Sequence, residues 1–226
     1  MFAQENYLHL KAHVNELSLL YGRQDEIKII AVTKNHPWET IAPVYLAGCK
    51  NFGENKVQEA LHKQQLSPQE IHWHLIGTLQ ANKIGKILGK FSLIHSIDSL
   101  ALAEKLSNKS LEAGLKTSIL LQVNTSGELT KHGWSVEACR IDYEKMLTFQ
   151  GLSIEGLMTI APAIQDEKII RTCFCRLRDL QEILLKEGGC PLPQLSMGMS
   201  NDYPWAIAEG ATMLRIGTSI FGQRNF

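Results

Sequence analysis

Much of what this sequence lacks concerns ways of leaving solution. No apolar run approaches the ~18 to 20 residues needed to span a bilayer. The N-terminus, MFAQENYLHLKAHVNEL, has no basic stretch leading into an apolar one, so no secretory signal is expected. Charge of neither sign is in surplus: 23 Lys and Arg stand against 23 Asp and Glu. That balance excludes the broad basic footprint of a general nucleic-acid binder. Cysteine is sparse, and its five positions (49, 139, 173, 175 and 190) form an odd, scattered set. Reduced thiols in a cytoplasmic protein are expected from it, with no disulfide framework. Nothing in the middle of the chain is rich enough in proline or serine to be a linker. What remains, 226 residues at 44% hydrophobic and 20% charged, is the composition of a folded globule able to bury its own core. A single domain over 1–226 is expected, as a monomer without nucleic-acid or membrane partners.

The periodicity repeats one unit: a short apolar run, a polar or glycine-bearing turn, then a helical pattern. An N-terminal helix over 3–21 comes first. Strand-like runs follow at 27–32, 51–52, 71–77, 91–97, 117–124, 154–160, 194–197 and 212–216. Between them lie helical patterns at 37–45, 55–65, 79–88, 98–112 (with Asp98 as its cap), 135–149, 165–187 and 202–209. Eight alternating units predict a parallel sheet flanked by helices, either open and doubly wound or closed into a barrel. An open sheet binding a dinucleotide should carry G-x-G-x-x-G after a strand, and this chain has none; GTLQANK (77–83) lacks the second glycine of a P-loop. The count of eight predicts a (β/α)8 barrel of the TIM type with an extra N-terminal helix.

Working groups of such a barrel sit where strands end. The first strand ends in AVTK, which puts Lys34 at the mouth, on the same face as Ile30 and Val32. Partly desolvated there, its amine would act as a nucleophile; a solvated lysine opening a loop is the plainer alternative. The seventh strand runs into LSMGMSND (195–202) and the eighth into MLRIGTSIFG (213–222). These two ends are where barrels bind phosphate, and Ser196, Ser200, Gly217 and Thr218 supply hydroxyls and close backbone approach. A nucleophilic lysine facing a phosphate cup suggests a phosphorylated aldehyde held as a Schiff base. Other features read as plain structure. His72 and His74 lie two apart on a strand, but no third ligand has matching spacing, so no metal is expected. Cys173 and Cys175 point about 200° apart on a helix and cannot bridge. Lys83, Lys86 and Lys90 form a solvated stripe.

AVTK, FGENKVQE (52–59), WHLIGTLQANK (73–83), HSID (95–98), QVN (122–124), GLMTI (156–160), LSMGMSND and RIGTSIFG occur in this order. Together they resemble the pyridoxal phosphate homeostasis proteins, the YggS-type relatives of the alanine racemase barrel, over nearly the whole chain. The resemblance implies a barrel standing alone that binds pyridoxal 5′-phosphate. Lys34 inherits the Schiff-base lysine, and Ser196, Ser200, Gly217 and Thr218 the phosphate. Arg215 matches the arginine near the pyridine nitrogen in the related racemases. Asn55 and His74 fall near the cofactor by motif, and Met158 is a barrel-lining residue offering a contact. An arginine leaves the pyridine nitrogen unprotonated, which makes the cofactor a weaker electron sink. The second acid/base that racemisation needs has no counterpart by motif among the five tyrosines. The resemblance therefore implies a protein that buffers the cofactor and delivers it to apo-enzymes without substantial turnover; the alternative is a racemase or decarboxylase of the same barrel class. The chain departs from the pattern at NHPW (35–38), at Thr78 and at YPWAI (203–207), which bears on lid and partner surfaces more than on the cofactor site.

Overall fold

Strands buried along nearly their whole length need cover on both faces, and parallel strands joined by helices obtain it by closing. The computed structural model describes residues 2–128 and 130–223. Its strands are β1 (Lys28–Val32), β2 (Asn51–Glu54), β3 (His72–Leu75), β4 (Leu93–Ile97), β5 (Thr117–Gln122), β6 (Leu152–Met158), β7 (Gln194–Ser196) and β8 (Met213–Ile216). Each pairs in parallel with the next, and β8 pairs with β1, so the sheet is a closed barrel in sequence order. The eight-stranded barrel expected from the alternation is the fold.

Helix α1 (Phe2–Leu20) precedes the barrel and packs against its last and first helical elements, α9 (Thr218–Phe221) and α2 (Trp38–Leu46). The remaining helices are α3 (Val57–Leu66), α4 (Ile84–Ile87, after a 3-10 turn at Ala81–Lys83), α5 (Leu100–Glu112), α6 (Val136–Leu147), α7 (Glu167–Gly188) and α8 (Tyr203–Ala208). Three are capped by side chains: Ser99, Ser135 and Asp166 accept from the backbone N–H of Leu102, Ala138 and Ile169. Asp98 was the expected cap of α5; the role falls to Ser99, one residue on, because the helix starts at Leu100. The expected 79–88 helix contracts to α4 and its 3-10 turn. Strand β2 runs two residues further than its apolar pattern suggests, since Gly53 and Glu54 continue the ladder with His74 and Leu75. Strand β6 begins and ends two residues earlier than expected, in register with Thr117 at the start of β5.

Two apolar clusters hold this together. The larger lies between sheet and helices and takes in Phe52, Trp73, Leu106, Phe174 and Ile207. The smaller, Ile30, Leu93, Leu120, Met158 and Met213, comes from five different strands and fills the barrel interior. Beyond it toward the strand C-termini the interior turns polar. That change of lining is what positions the site.

Candidate functional site

The C-terminal mouth opens into a cavity of about 940 Å³. Its walls include Val32 and Lys34 after β1, Asn55 after β2, Ile76 after β3, Met199 to Asp202 after β7, and Arg215, Gly217 and Thr218 from β8 onward. Six of the nine residues singled out from sequence, namely Lys34, Asn55, Ser200, Arg215, Gly217 and Thr218, thus line one space. Two glycines in the loops that frame it are sterically required. A Cβ at Gly77 would lie 2.3 Å from the Asn55 carbonyl oxygen, so only glycine lets the β3 loop approach the β2 loop. Gly198, with φ +92°, would meet the Cβ of Ala206 at 2.6 Å.

Lys34 sits in a reverse turn closed by a hydrogen bond from His36 N–H to the Thr33 carbonyl (3.0 Å). The third residue of that turn, Asn35, has φ 64°, a left-handed conformation that asparagine tolerates better than most residues. The next side chain, His36, stacks on Phe221 with ring centroids 4.8 Å apart. On the neighbouring β7–β8 side of the mouth, Ser200 Oγ accepts from the backbone N–H of Ser219 (3.2 Å), which ties the β7 loop to the first turn of α9.

Arg215 is 5% exposed and firmly held. Its Nη1 donates to the carbonyl and to Oγ of Ser196, each at 2.7 Å, and its Nη2 donates to the Thr159 carbonyl at 2.8 Å. Burial pulls its pKa down to about 10, opposed by the Asp202 carboxylate, so it remains a cation at neutral pH. Asp202 is also buried on the cavity wall; desolvation pushes its carboxyl up, and the Met199 N–H (2.5 Å) and Arg215 oppose that.

The other three residues singled out lie elsewhere. Ser196 is fully buried, and its hydroxyl is engaged by Arg215 and by His95 Nδ1 (2.8 Å), so it does not line the cavity as a phosphate donor. Met158 belongs to the interior apolar cluster beneath the site and makes barrel core. His74 is one residue short of the end of β3 and points into the barrel; Nδ1 meets His95 Nε2 at 3.0 Å and Nε2 meets Asn51 Oδ1 at 3.1 Å. It lines a second, smaller cavity at the N-terminal end of the strands, not the one at Lys34.

These contacts form one chain: Arg215, which only donates, meets Ser196 Oγ, Ser196 Oγ meets His95 Nδ1, His95 Nε2 meets His74 Nδ1, and His74 Nε2 meets the Asn51 side-chain amide. Each histidine shares one proton-bearing and one accepting nitrogen with its neighbours, whichever way the chain runs. Both imidazoles are then neutral. Burial lowers the His74 pKa to about 3, and burial, His74 and Arg215 together hold His95 well below its ordinary value. His95 was not singled out from sequence; its signal is an imidazole inside a fully buried strand whose other residues, Ser96 apart, are apolar. Among the described residues, no three His, Cys, Asp or Glu side chains are placed to hold a metal.

A second group missed by sequence reasoning lies outside the sheet, behind Lys34. Lys63 of α3 donates to the Thr33 carbonyl (2.7 Å), Glu54 Oε1 (2.6 Å) and Glu59 Oε1 (2.7 Å). Thr33 Oγ1 donates to Glu54 Oε1 at 2.5 Å, and the Asn35 N–H donates to Glu59 Oε1 at 2.5 Å. Burial pushes the Glu54 carboxyl up, against the hydrogen bonds from Lys63 and Thr33.

The chemistry of this donor set fits a phosphorylated aldehyde: an amine at Lys34, a fixed cation at Arg215, and hydroxyls with a glycine on the adjoining β7–β8 wall. Comparison with known proteins agrees in outline. The family model for the alanine racemase N-terminal domain matches residues 6–225. A pyridoxal phosphate homeostasis protein of Aquifex aeolicus is 40% identical over 200 residues, covering 88% of this chain and 88% of that one. The structure of PipY from Synechococcus elongatus with pyridoxal phosphate bound is 39% identical, covers 92% of this chain and 99% of that one, and superposes with a TM-score of 0.81. An alanine racemase of Clostridium difficile shares the fold alone, at 14% identity and a TM-score of 0.79, with this chain spanning 59% of it. The chain belongs to the alanine racemase N-terminal domain family, among relatives that are pyridoxal phosphate homeostasis proteins.

Proposed function

We propose that this chain is a pyridoxal 5′-phosphate-binding protein that buffers the cofactor and hands it to apo-enzymes, acting as a single monomeric barrel in the cytoplasm. The observation that carries the reading is the meeting of Lys34, Arg215, Ser200, Gly217 and Thr218 in one cavity at the strand C-termini. The cofactor supplies an aldehyde that condenses with a primary amine and releases one water. Lys34 provides that amine. Ser200, Thr218 and the backbone at Gly217, beside the first turn of α9, receive the phosphate. Arg215 faces the pyridine nitrogen as a donor that keeps its own proton.

Storage suits this lining better than turnover. Among the described residues, no tyrosine lines the cavity to serve as an acid/base opposite Lys34, and the relatives are named for homeostasis. The test has two arms. Mixing with pyridoxal phosphate should give a violet-edge absorbance, and borohydride reduction followed by peptide mapping should place the pyridoxyl group on Lys34. The loaded protein should then reactivate a pyridoxal phosphate-dependent apo-enzyme in preference to an equal concentration of free cofactor. Colourless protein after mixing would sink the reading. Rapid deuterium exchange at the α-carbon of an amino acid would favour the racemase or decarboxylase alternative.

A further inference from the structure

The turn that carries Lys34 is held from both sides by one buried charged group. Upstream, the Thr33 carbonyl accepts from Lys63 Nζ, and the Thr33 hydroxyl donates to Glu54. Downstream, the Asn35 N–H donates to Glu59, which in turn accepts from Lys63. Lys63 thereby spends all three of its ammonium protons on Thr33, Glu54 and Glu59. The Lys63 side chain is 5% exposed and that of Glu54 0% exposed.

Such an arrangement is a costly way to fasten a helix to a sheet. Removing an ammonium and a carboxylate from water costs several kcal/mol per ion, and apolar residues of similar volume often do as well. What the charges provide is direction. Hydrogen bonds to Thr33 and Asn35 fix two peptide planes, and Lys34 lies between them. The left-handed Asn35 adds to the case, because a non-glycine residue at φ 64° persists where its surroundings over-determine it. Here the over-determining contact is the Glu59 carboxylate on its N–H.

We propose that Glu59 and Lys63, together with Glu54, are positioning residues that set the direction in which Lys34 projects into the cavity, and so the rate at which its amine meets an aldehyde held there. The inference rests on the function proposed above. None of the three side chains lines the cavity itself. The triad therefore governs covalent capture, not reversible binding.

Glu59 is the place to test this, because its side chain is 22% exposed and its removal leaves no new buried carboxylate. Glu59→Ala and Glu59→Gln are compared with the unaltered protein in two measurements. The first is the rate of rise of the absorbance on mixing with pyridoxal 5′-phosphate. The second is the affinity for pyridoxine 5′-phosphate, which carries an alcohol in place of the aldehyde and cannot condense. Glu59→Ala should slow capture about 10- to 100-fold, the loss typical of a reacting group displaced by an ångström or less. Glu59→Gln retains an acceptor for the Asn35 N–H and should recover most of the rate. The affinity for pyridoxine 5′-phosphate should stay within about twofold in both. Unchanged capture in Glu59→Ala, an equal loss in Glu59→Gln, or a parallel loss of pyridoxine 5′-phosphate binding would each overturn the proposal. Should Glu59→Ala fail to fold, Lys63→Arg, which keeps a buried cation with altered donor directions, is expected to slow capture while sparing pyridoxine 5′-phosphate; capture at the original rate would overturn the proposal. If the unaltered protein captures no aldehyde on Lys34, it is the proposed function that fails.

Discussion

The two ends of the barrel are both polar, both hollow and both supplied with lysines, yet they are built differently. The N-terminal end holds a cavity of about 500 Å³ lined by Lys11, Lys28 and Lys50, with Glu26 and Glu155 among them. Lys11 and Lys28 are exposed there, and Lys50 is paired with Glu70 and lies over the Tyr45 ring. Exposed cations of this kind keep their hydration and their rotamer freedom, and their ion pairs contribute little. At the C-terminal end Arg215 is locked by three hydrogen bonds and Lys34 rides on a turn pinned from behind. The contrast teaches that a count of lysines says less about an end than how its charges are held. Desolvation and fixed geometry favour the C-terminal end for the proposed chemistry, since they let a charge act without first having to be organised.

The largest expected effect tests that contrast directly. Lys34→Ala should abolish covalently held pyridoxal phosphate, read by borohydride reduction and peptide mass mapping, whereas Lys28→Ala and Lys50→Ala should leave it unaltered. A pyridoxyl group found on Lys28 or Lys50 of the unaltered protein would exchange the roles of the two ends. Next in size, Thr218→Ala or Ser200→Ala should weaken reversible affinity by about 1.5 to 3 kcal/mol, roughly ten- to a hundredfold, as expected for a lost hydrogen bond to a charged group. His72→Ala at the other end should change it by less than about twofold, and equilibrium titration distinguishes the two. Inorganic phosphate should compete only at the C-terminal mouth.

A smaller effect concerns the chain of side chains that joins the two ends. His74 is held neutral with a pKa near 3 in the folded protein, against about 6.5 when unfolded. Between those values the unfolded chain binds the extra proton, so stability is full above about pH 6.5 and falls as the pH drops toward 3. At pH 5 the loss from His74 alone is about 2 kcal/mol. Urea unfolding at pH 7 and pH 5 measures it. His74→Gln, which cannot titrate but can still donate to Asn51, should flatten the dependence. An unchanged slope would mean that the imidazole is not buried neutral as the hydrogen bonds indicate.

The architecture was legible because each strand announces itself through an apolar run and each helix through its period, and eight such units have few ways to close. That Lys34, Asn55, Ser200, Arg215, Gly217 and Thr218 share one cavity was legible for a related reason: five lie just past the end of a strand and Arg215 one residue before it, and the topology gathers strand ends. His74 does not join them: its run reads as 71–77, whereas the strand stops at Leu75, and its imidazole faces His95 and Asn51 toward the N-terminal cavity. Its partnership with His95, and that of His95 with Ser196 over a separation of 101 residues, depends on which side chains meet across the barrel axis. No local pattern encodes that. The same holds for Glu54 and Lys63. Strand alternation puts Glu54 on the outer face, but only the docking of α3 brings Lys63 to it. Ser196 shows the converse limit, since a hydroxyl in the right motif proved to be turned toward the arginine instead of the cavity.

The anchoring of Arg215 has one more consequence. A cation free to swing would respond to each change of charge on a bound molecule, lowering the energy of whichever state was present. A guanidinium tied to Ser196 and Thr159 imposes the same field on every occupant. The field at that end of the cavity is thereby set before any ligand arrives, and no part of the binding energy goes into organising it.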